Sequence, residues 1–524
     1  MRSPPAEGGM WKEAILIWEW ESNHLFRVRA SNHTTLVGGN MFIETRLDRS
    51  RIDHKTPRTL RLMVSLKAPE IKEEARQPID VVLVLDVSGS MTDPAAPGDR
   101  GSTKMTLAKQ AARKFVEQLQ ASDRVGVVVF SSGVAVLVPL KELTDDHRGE
   151  IIEKLATLTA KGGTDMVAGT LRALALMGEC QAASGRTRRV ILFTDGLPTE
   201  GITAHAQVMQ AITAQLDGKT PITAMGFGSV VVANGAGGGG YDPELLTSVA
   251  RASGGTFYHA EGADGILSAF ALELGALRSV AITEVKVILT PGAGIAVREV
   301  MNDFTVTSTG ACTTIEVGNL YGGETQHLVM ALTVPARENI FPRDTVAANI
   351  KMIGVEASGS TVVETQDVHF RYVKPAEADQ KPDPVVEEQR LRLLAAKELE
   401  LAFAEAAAGN HAAAAQRMDR IRRDSENLGT ASSRVFARRL AVVIEDLGDV
   451  RLFRVKSAAI RGASSTLGKG RPSGTHYFDA ETTTRAQARA VRDMGAKEQP
   501  PADAAPKSDE PPTANPAKRR VRNW

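Results

Sequence analysis

Three short stretches carry the residue types from which a hard-cation site is made. Asp86-Val87-Ser88-Gly89-Ser90-Met91 follows an apolar run, and Gly162-Gly163-Thr164-Asp165 precedes a segment of helical period. Phe193-Thr194-Asp195-Gly196 closes a second apolar run. Hydroxyls and carboxylates are hard oxygen donors, which Mg²⁺ or Mn²⁺ takes in octahedral geometry at about 2.1 Å. Taken singly, an Asp or Ser after a strand is an ordinary turn or N-cap residue. Three such pieces at strand ends or helix starts point instead to a shared site, because open α/β sheets bind ligands beyond the carboxyl ends of their strands. The set holds no nucleophile–base pair, so its chemistry is binding rather than turnover.

The elements that must position these residues are legible around them. IDVVLVLD (79–86) is apolar on both faces, as a central parallel strand covered by helices must be. RVGVVVF (124–130), RVILFTD (189–195), ITAMGF (222–227) and the shorter TFYHA (256–260) read the same way. Met105, Ala108, Ala112, Phe115, Val116 and Leu119 share one helix face, as do Val167, Leu171, Leu174 and Met177, and later Leu245, Leu246, Val249 and Ala250. AVLVPL (135–140) follows its predecessor too closely for a crossover, which predicts an antiparallel edge. Alternating strands and helices over 78–277 predict a doubly wound, mostly parallel α/β domain.

Beyond it the period changes. Short alternating runs over 279–375, from ITEVKVIL to TVVETQDVHFRYV, predict an antiparallel β-sandwich, and RLMVSLKAP within 61–77 is expected to join that sheet. After a charged, proline-bearing linker, 384–450 reads as three helices, with Leu391, Leu394, Ala395, Leu401 and Ala402 as the apolar stripe of the first. Helices of this kind need a surface to cover, so packing is expected. Residues 1–60 show no clean period apart from a strand near MFIETRL, and 451–524 reads as a mostly disordered tail.

At roughly 150 residues per domain, 524 residues suit three or four domains. Lys+Arg of 63 against Asp+Glu of 62 leaves a formal charge of +1, so no global field steers the chain to nucleic acid or an anionic membrane. Cys180 and Cys312 are too few for a disulfide framework or a cysteine-based zinc module, and both are expected to be buried and inert. With no signal-like segment and no long apolar stretch, a cytoplasmic setting is expected, with the nucleus as the alternative.

Together, DVSGSM, GGTD and TDG resemble the von Willebrand factor type A domain with its metal-ion-dependent adhesion site, over roughly residues 78–277. The order of domains and VGNLYGGE (317–324) are similar to the plant wavy-growth-type proteins. Those relatives often carry a RING zinc module, which two cysteines cannot build, so their ubiquitin-ligase activity is not carried over. The resemblance implies that the hydroxyls of Ser88, Ser90 and Thr164 bind Mg²⁺ (or Mn²⁺) directly, while Asp86 and Asp195 hold its waters. Neutral hydroxyls leave such a metal electron-poor, and an open position then favours a Glu or Asp of a partner protein. The expected function is a metal-dependent protein–protein interaction module in an intracellular adaptor or scaffold, not an enzyme. The alternatives are a metal-dependent hydrolase, which lacks a base motif here, and a purely structural metal.

The chain departs from the family pattern at 92–103, an insertion beside the proposed metal that brings Asp93 and Asp99. With Asp165 these are the expected partner-facing acids, and the insertion is read as a specificity loop rather than a cover. A glycine-rich insertion at 230–243 reads as a tolerated surface loop. GASSTLGKG (462–470) fails as a phosphate loop on spacing, and no HExxH occurs. The basic cluster at 518–522 reads as a solvated end.

Overall fold

The computed structural model describes residues 42–69, 76–95, 102–180, 186–228, 240–260, 262–338, 340, 344–356 and 358–450. It also describes Phe453, Ala458, Arg461, Ser464 and 467–469. Three strands come first: β1 (Phe42–Leu47), β2 (Arg51–Asp53) and β3 (Arg58–Lys67). The α/β unit then runs β4 (Ile79–Asp86), α1 (Lys104–Glu117), β5 (Arg124–Phe130), β6 (Val134–Glu142), α2 (Asp145–Thr157) and α3 (Met166–Glu179). It continues through β7 (Thr187–Thr194), α4 (His205–Thr213), β8 (Ile222–Phe227), α5 (Pro243–Ala252), β9 (Phe257–Ala260) and α6 (Gly262–Arg278).

Its sheet has the order β6-β5-β4-β7-β8-β9, parallel except for β6, which pairs antiparallel with β5 at the edge. Every residue of β4 is buried, because helices cover both faces. Val81, Leu83 and Leu85 meet α1 and α6 residues such as Phe115 and Phe270 on one side. Val82 and Val84 meet Val167, Leu174 and Leu246 on the other. From β4 the chain adds β5 and β6 in one direction and β7, β8 and β9 in the other. The switch point therefore lies between the carboxyl ends of β4 and β7. At the opposite end, Arg76 grips Asp123 with two contacts of 2.9 and 2.6 Å, while Asp123 also accepts from the Ile79 amide at 2.8 Å. That buried pair fixes where β4 begins.

The second unit is built from β10 (Val280–Pro291), β11 (Ala296–Val300), β12 (Thr305–Thr309), β13 (Cys312–Tyr321), β14 (Thr325–Val334), β15 (Thr345–Glu356) and β16 (Thr361–Val373). Two sheets, β1-β3-β14-β11 and β12-β13-β10-β15-β16-β2, enclose one core containing Leu62, Val64, Val287, Leu328, Met330 and Ile350. β3 pairs antiparallel with β14 over ten residues, so the α/β unit is inserted in sequence between sandwich strands. Where the units meet, Arg189 of β7 is fully buried, 2.9 Å from Glu273 of α6, and donates to the Tyr321 hydroxyl at 3.3 Å.

Three helices follow: α7 (Pro384–Ala407), α8 (His411–Leu428) and α9 (Ala431–Gly448). One side of α7 presses Val386 and Leu393 onto Met63 and Val329 of the sandwich; another packs Leu391, Ala395 and Phe403 against α8 and α9. Leu401 leaves the expected stripe and is exposed, because α7 is buried between two neighbours rather than along one line.

A few described residues beyond the boundary expected at 450 also pack onto the fold. Phe453 and Leu467 belong to the helical core, and Ala458 is buried in the α/β core. Lys469 donates to the Gly255 carbonyl at 2.6 Å, and Arg461 lies 4.6 Å over the Phe403 ring. Small and polar residues disguised this segment, because its apolar anchors are few and far apart. The cysteines are likewise half-buried rather than buried, with Arg124 3.3 Å from the Cys180 sulfur. Residues 1–41, Asp99, most of the 230–243 insertion and 470–524 lie outside the described residues. Among the described residues, no helix is long and apolar enough to cross a membrane.

Candidate metal centre

The three motif stretches meet at the switch point. The turn after β4 is stitched to the strand beside it by Val87 N–H donating to the Phe130 carbonyl at 2.8 Å. It is joined to the second stretch by Gly89 N–H to the Gly162 carbonyl at 2.9 Å and Lys161 N–H to the Val87 carbonyl at 2.8 Å. Gly162 has φ of +81°, a left-handed backbone that suits glycine, and this bend lets the second loop reach the first. The second stretch is tied to the third, since Thr164 N–H donates to Thr199 Oγ1 at 2.9 Å and the Thr164 carbonyl accepts from Thr199 N–H at 3.0 Å.

Within this frame the oxygen-bearing side chains converge. Ser88 Oγ and Ser90 Oγ are 3.1 Å apart, and Ser90 Oγ donates to Asp195 Oδ1 at 2.8 Å. Asp86 Oδ1 accepts from the Ser88 amide at 2.8 Å, and its Oδ2 from the Thr194 hydroxyl at 2.6 Å. A Cβ placed on Gly196 would lie 3.7 Å from Ser90 Oγ and 3.8 Å from Thr164 Oγ1, so both hydroxyl oxygens lie beside the same position. Asp86, Ser88, Thr164 and Asp195 are buried, and Ser90 is half-buried.

This donor set fits a small hard cation. Adjacent ligands of an octahedral ion at about 2.1 Å stand roughly 3.0 Å apart, close to the spacing of the two serine oxygens. The metal-free site is also electrostatically costly. Burial above all, with the Asp195 charge adding to it, pushes the Asp86 carboxyl up to about 6, although hydrogen bonds from Ser88 and Thr194 oppose the rise.

A further member has no counterpart among the expected site residues. Lys104, the first residue of α1, is buried and places its ammonium 2.6 Å from Asp195 Oδ2 and 3.7 Å from Asp93 Oδ2. It is one of 63 basic residues, and its place directly after the 92–103 insertion was its only sequence signal. The insertion closes on itself, with the Asp93 carbonyl accepting from Lys104 N–H at 3.0 Å and Ala95 N–H donating to Ser102 at 2.9 Å. Asp93 is exposed beside Lys104. Asp165, half-buried beside the site, caps α3 by accepting at its Oδ1 from the Ala168 amide at 3.0 Å.

Residues 81–197, which contain all three motif stretches, match the von Willebrand factor type A domain. The α/β unit has that fold. An uncharacterised protein, sll0103 of Synechocystis, is 23% identical over 372 residues, 68% of this chain and 80% of its own. The E3 ubiquitin-protein ligase WAV3 of Arabidopsis thaliana is 26% identical over 56% of this chain, which spans 36% of that relative. Inter-alpha-trypsin inhibitor heavy chain H1 of Sus scrofa is 28% identical over 28% of this chain, which spans only 16% of it. Among solved structures, a von Willebrand factor type A protein from Catenulispora acidiphila superposes with a TM-score of 0.60 at 17% identity. That superposition covers 76% of this chain and 88% of the other, so the likeness of fold extends beyond the type A domain.

Proposed function

We propose that this protein is a Mg²⁺-dependent protein–protein interaction module whose type A domain binds an acidic residue of a partner, within an intracellular adaptor or scaffold. Type A domains commonly mediate protein–protein interaction and often bind Mg²⁺ or Mn²⁺. In this reading Ser88, Ser90 and Thr164 hold the ion directly, while Asp86 and Asp195 hold its water ligands. The ion supplies Lewis acidity toward an incoming carboxylate; the chain's own residues fix its place and keep it electron-poor. The supporting observation is the convergence of hydroxyls and carboxylates from three separate stretches at the switch point, with Ser88 and Ser90 oxygens 3.1 Å apart.

The same observation favours binding over hydrolysis. The serine hydroxyls hydrogen-bond to each other and, through Ser90, to Asp195, whose other oxygen is held by the Lys104 ammonium, and the described site contains no histidine. The sandwich and helices serve as scaffold.

The test is a pull-down with the intact chain in Mg²⁺ or in EDTA, alongside Asp86→Ala and Thr164→Ala. The proposal predicts partners captured only with Mg²⁺ and lost in both variants. Capture that survives EDTA unchanged would refute it. A variant that melts lower yet keeps its partners would mark the metal as structural instead.

A further inference from the structure

Lys104 bears on what the proposed metal site prefers to bind. The ammonium is buried, salt-bridged to Asp195 at 2.6 Å, and its stem runs beneath Gly228, where an added Cβ would lie 3.4 Å from Lys104 Cε. Its N–H is fixed by the Asp93 carbonyl at the start of α1, so the side chain leaves the helix at a set place. A buried lysine that pairs with a carboxylate of the site is part of the site's charge, because screening there is weak.

We infer that Lys104 sets the anion preference of this centre: it weakens metal uptake and strengthens capture of a carboxylate by the loaded metal. The inference rests on the metal reading proposed above and deepens it. Asp86 and Asp195 supply two negative charges and Lys104 one positive, which leaves one negative charge for the ion to meet. A divalent ion then gives a loaded site with one net positive charge, ready for a carboxylate. Without the lysine the same site would attract the ion more strongly and, once loaded, would be neutral. Asp93 alters this little, because its carboxylate is exposed and screened. Lys104 also gives Asp195 a partner of opposite charge, which eases the repulsion between Asp86 and Asp195 without removing it.

The two effects have opposite signs, which a merely structural lysine would not produce. Isothermal titration of Mg²⁺ alone into the full chain should show Lys104→Met binding at least about tenfold tighter than the unmodified protein. Lys104→Arg, which keeps the charge, should stay within about threefold. With Mn²⁺ loaded, acetate titrated against the water-proton relaxation of the bound ion should bind at least about fivefold more weakly to Lys104→Met. If that variant does not fold without metal, Lys104→Gln, which retains a donor for Asp195, is read in the same two titrations. Unchanged or weaker Mg²⁺ uptake in the neutral variant, or unchanged acetate binding, overturns the role of Lys104. Absence of Mg²⁺ uptake by the unmodified chain would instead overturn the metal reading itself.

Discussion

Replacing Asp86 by asparagine should make the metal-free protein more stable at neutral pH, although Asp86 lies at the heart of the site. Burial first, then the Asp195 charge, raises this carboxyl from an ordinary 3.8 to about 6. A carboxyl raised on folding favours the folded state below its unfolded value and loses that advantage as pH climbs through the folded value. The window therefore runs from 3.8 to about 6. At roughly 1.36 kcal/mol per pH unit, the loss at neutral pH is at most about 3 kcal/mol. Asparagine has no charge to desolvate. Its oxygen still accepts from the Ser88 amide, and the Thr194 hydroxyl can turn to accept from its amide. Rearranging that bond costs about 1 kcal/mol, which leaves a net gain of about 1–2 kcal/mol. Urea unfolding in EDTA at about pH 7.5 and about pH 4 measures the difference between variant and unmodified chain at each pH. Taking the difference cancels His327, which burial holds near 4 rather than 6.5 and which destabilises both proteins as pH falls through that range. The gain should be present at the higher pH, absent at the lower, and reversed when Mg²⁺ replaces EDTA. A variant less stable than its parent in EDTA, by the same amount at both pH values, would refute the reasoning.

Gly196→Ala should fold normally, since its methyl would lie 3.7 and 3.8 Å from the Ser90 and Thr164 hydroxyls. By covering both it should weaken Mg²⁺ binding at least about tenfold by calorimetry, with little change in melting temperature. Arg189→Met strips the buried Glu273 of its charge partner at the junction of the two units, leaving it neutral donors such as the Thr223 hydroxyl, and should cost about 3 kcal/mol in chemical denaturation. Adding Glu273→Gln, which removes the charge and keeps an acceptor for the Thr223 hydroxyl, should recover most of that loss. Leu467→Ala should cost about 2–3 kcal/mol, because this side chain is 2% exposed in the helical core. No measurable loss would show that the segment beyond residue 450 does not anchor the fold.

The α/β fold was legible because each central strand is apolar on both faces and because turn chemistry marks its end. β4 is the plainest case: eight buried residues ending on Asp86, then a serine-glycine turn. β11 and β2 were not legible, since one is mostly exposed and the other has three residues, too short for a period. The motif stretches could be read from sequence because their residue types are unusual in combination. Lys104 could not, because a lysine at a helix start is ordinary until the loop before it folds back and aims it at Asp195. Thr194 was hidden in a similar way: its hydroxyl matters only because β7 lies beside β4 and reaches Asp86. Asp165 carries a second signal that the sequence did show: an acid directly before a helical period, one of whose carboxylate oxygens caps that helix.

An anomalous difference map from Mn²⁺-soaked crystals of the intact chain tests the central claim most directly. The account predicts one strong peak within ligand distance of the Ser88, Ser90 and Thr164 hydroxyls, with Asp86 and Asp195 reaching it through ordered waters. A well-ordered crystal with no peak there, or with the ion bound elsewhere and these hydroxyls still hydrogen-bonded to one another, would contradict it.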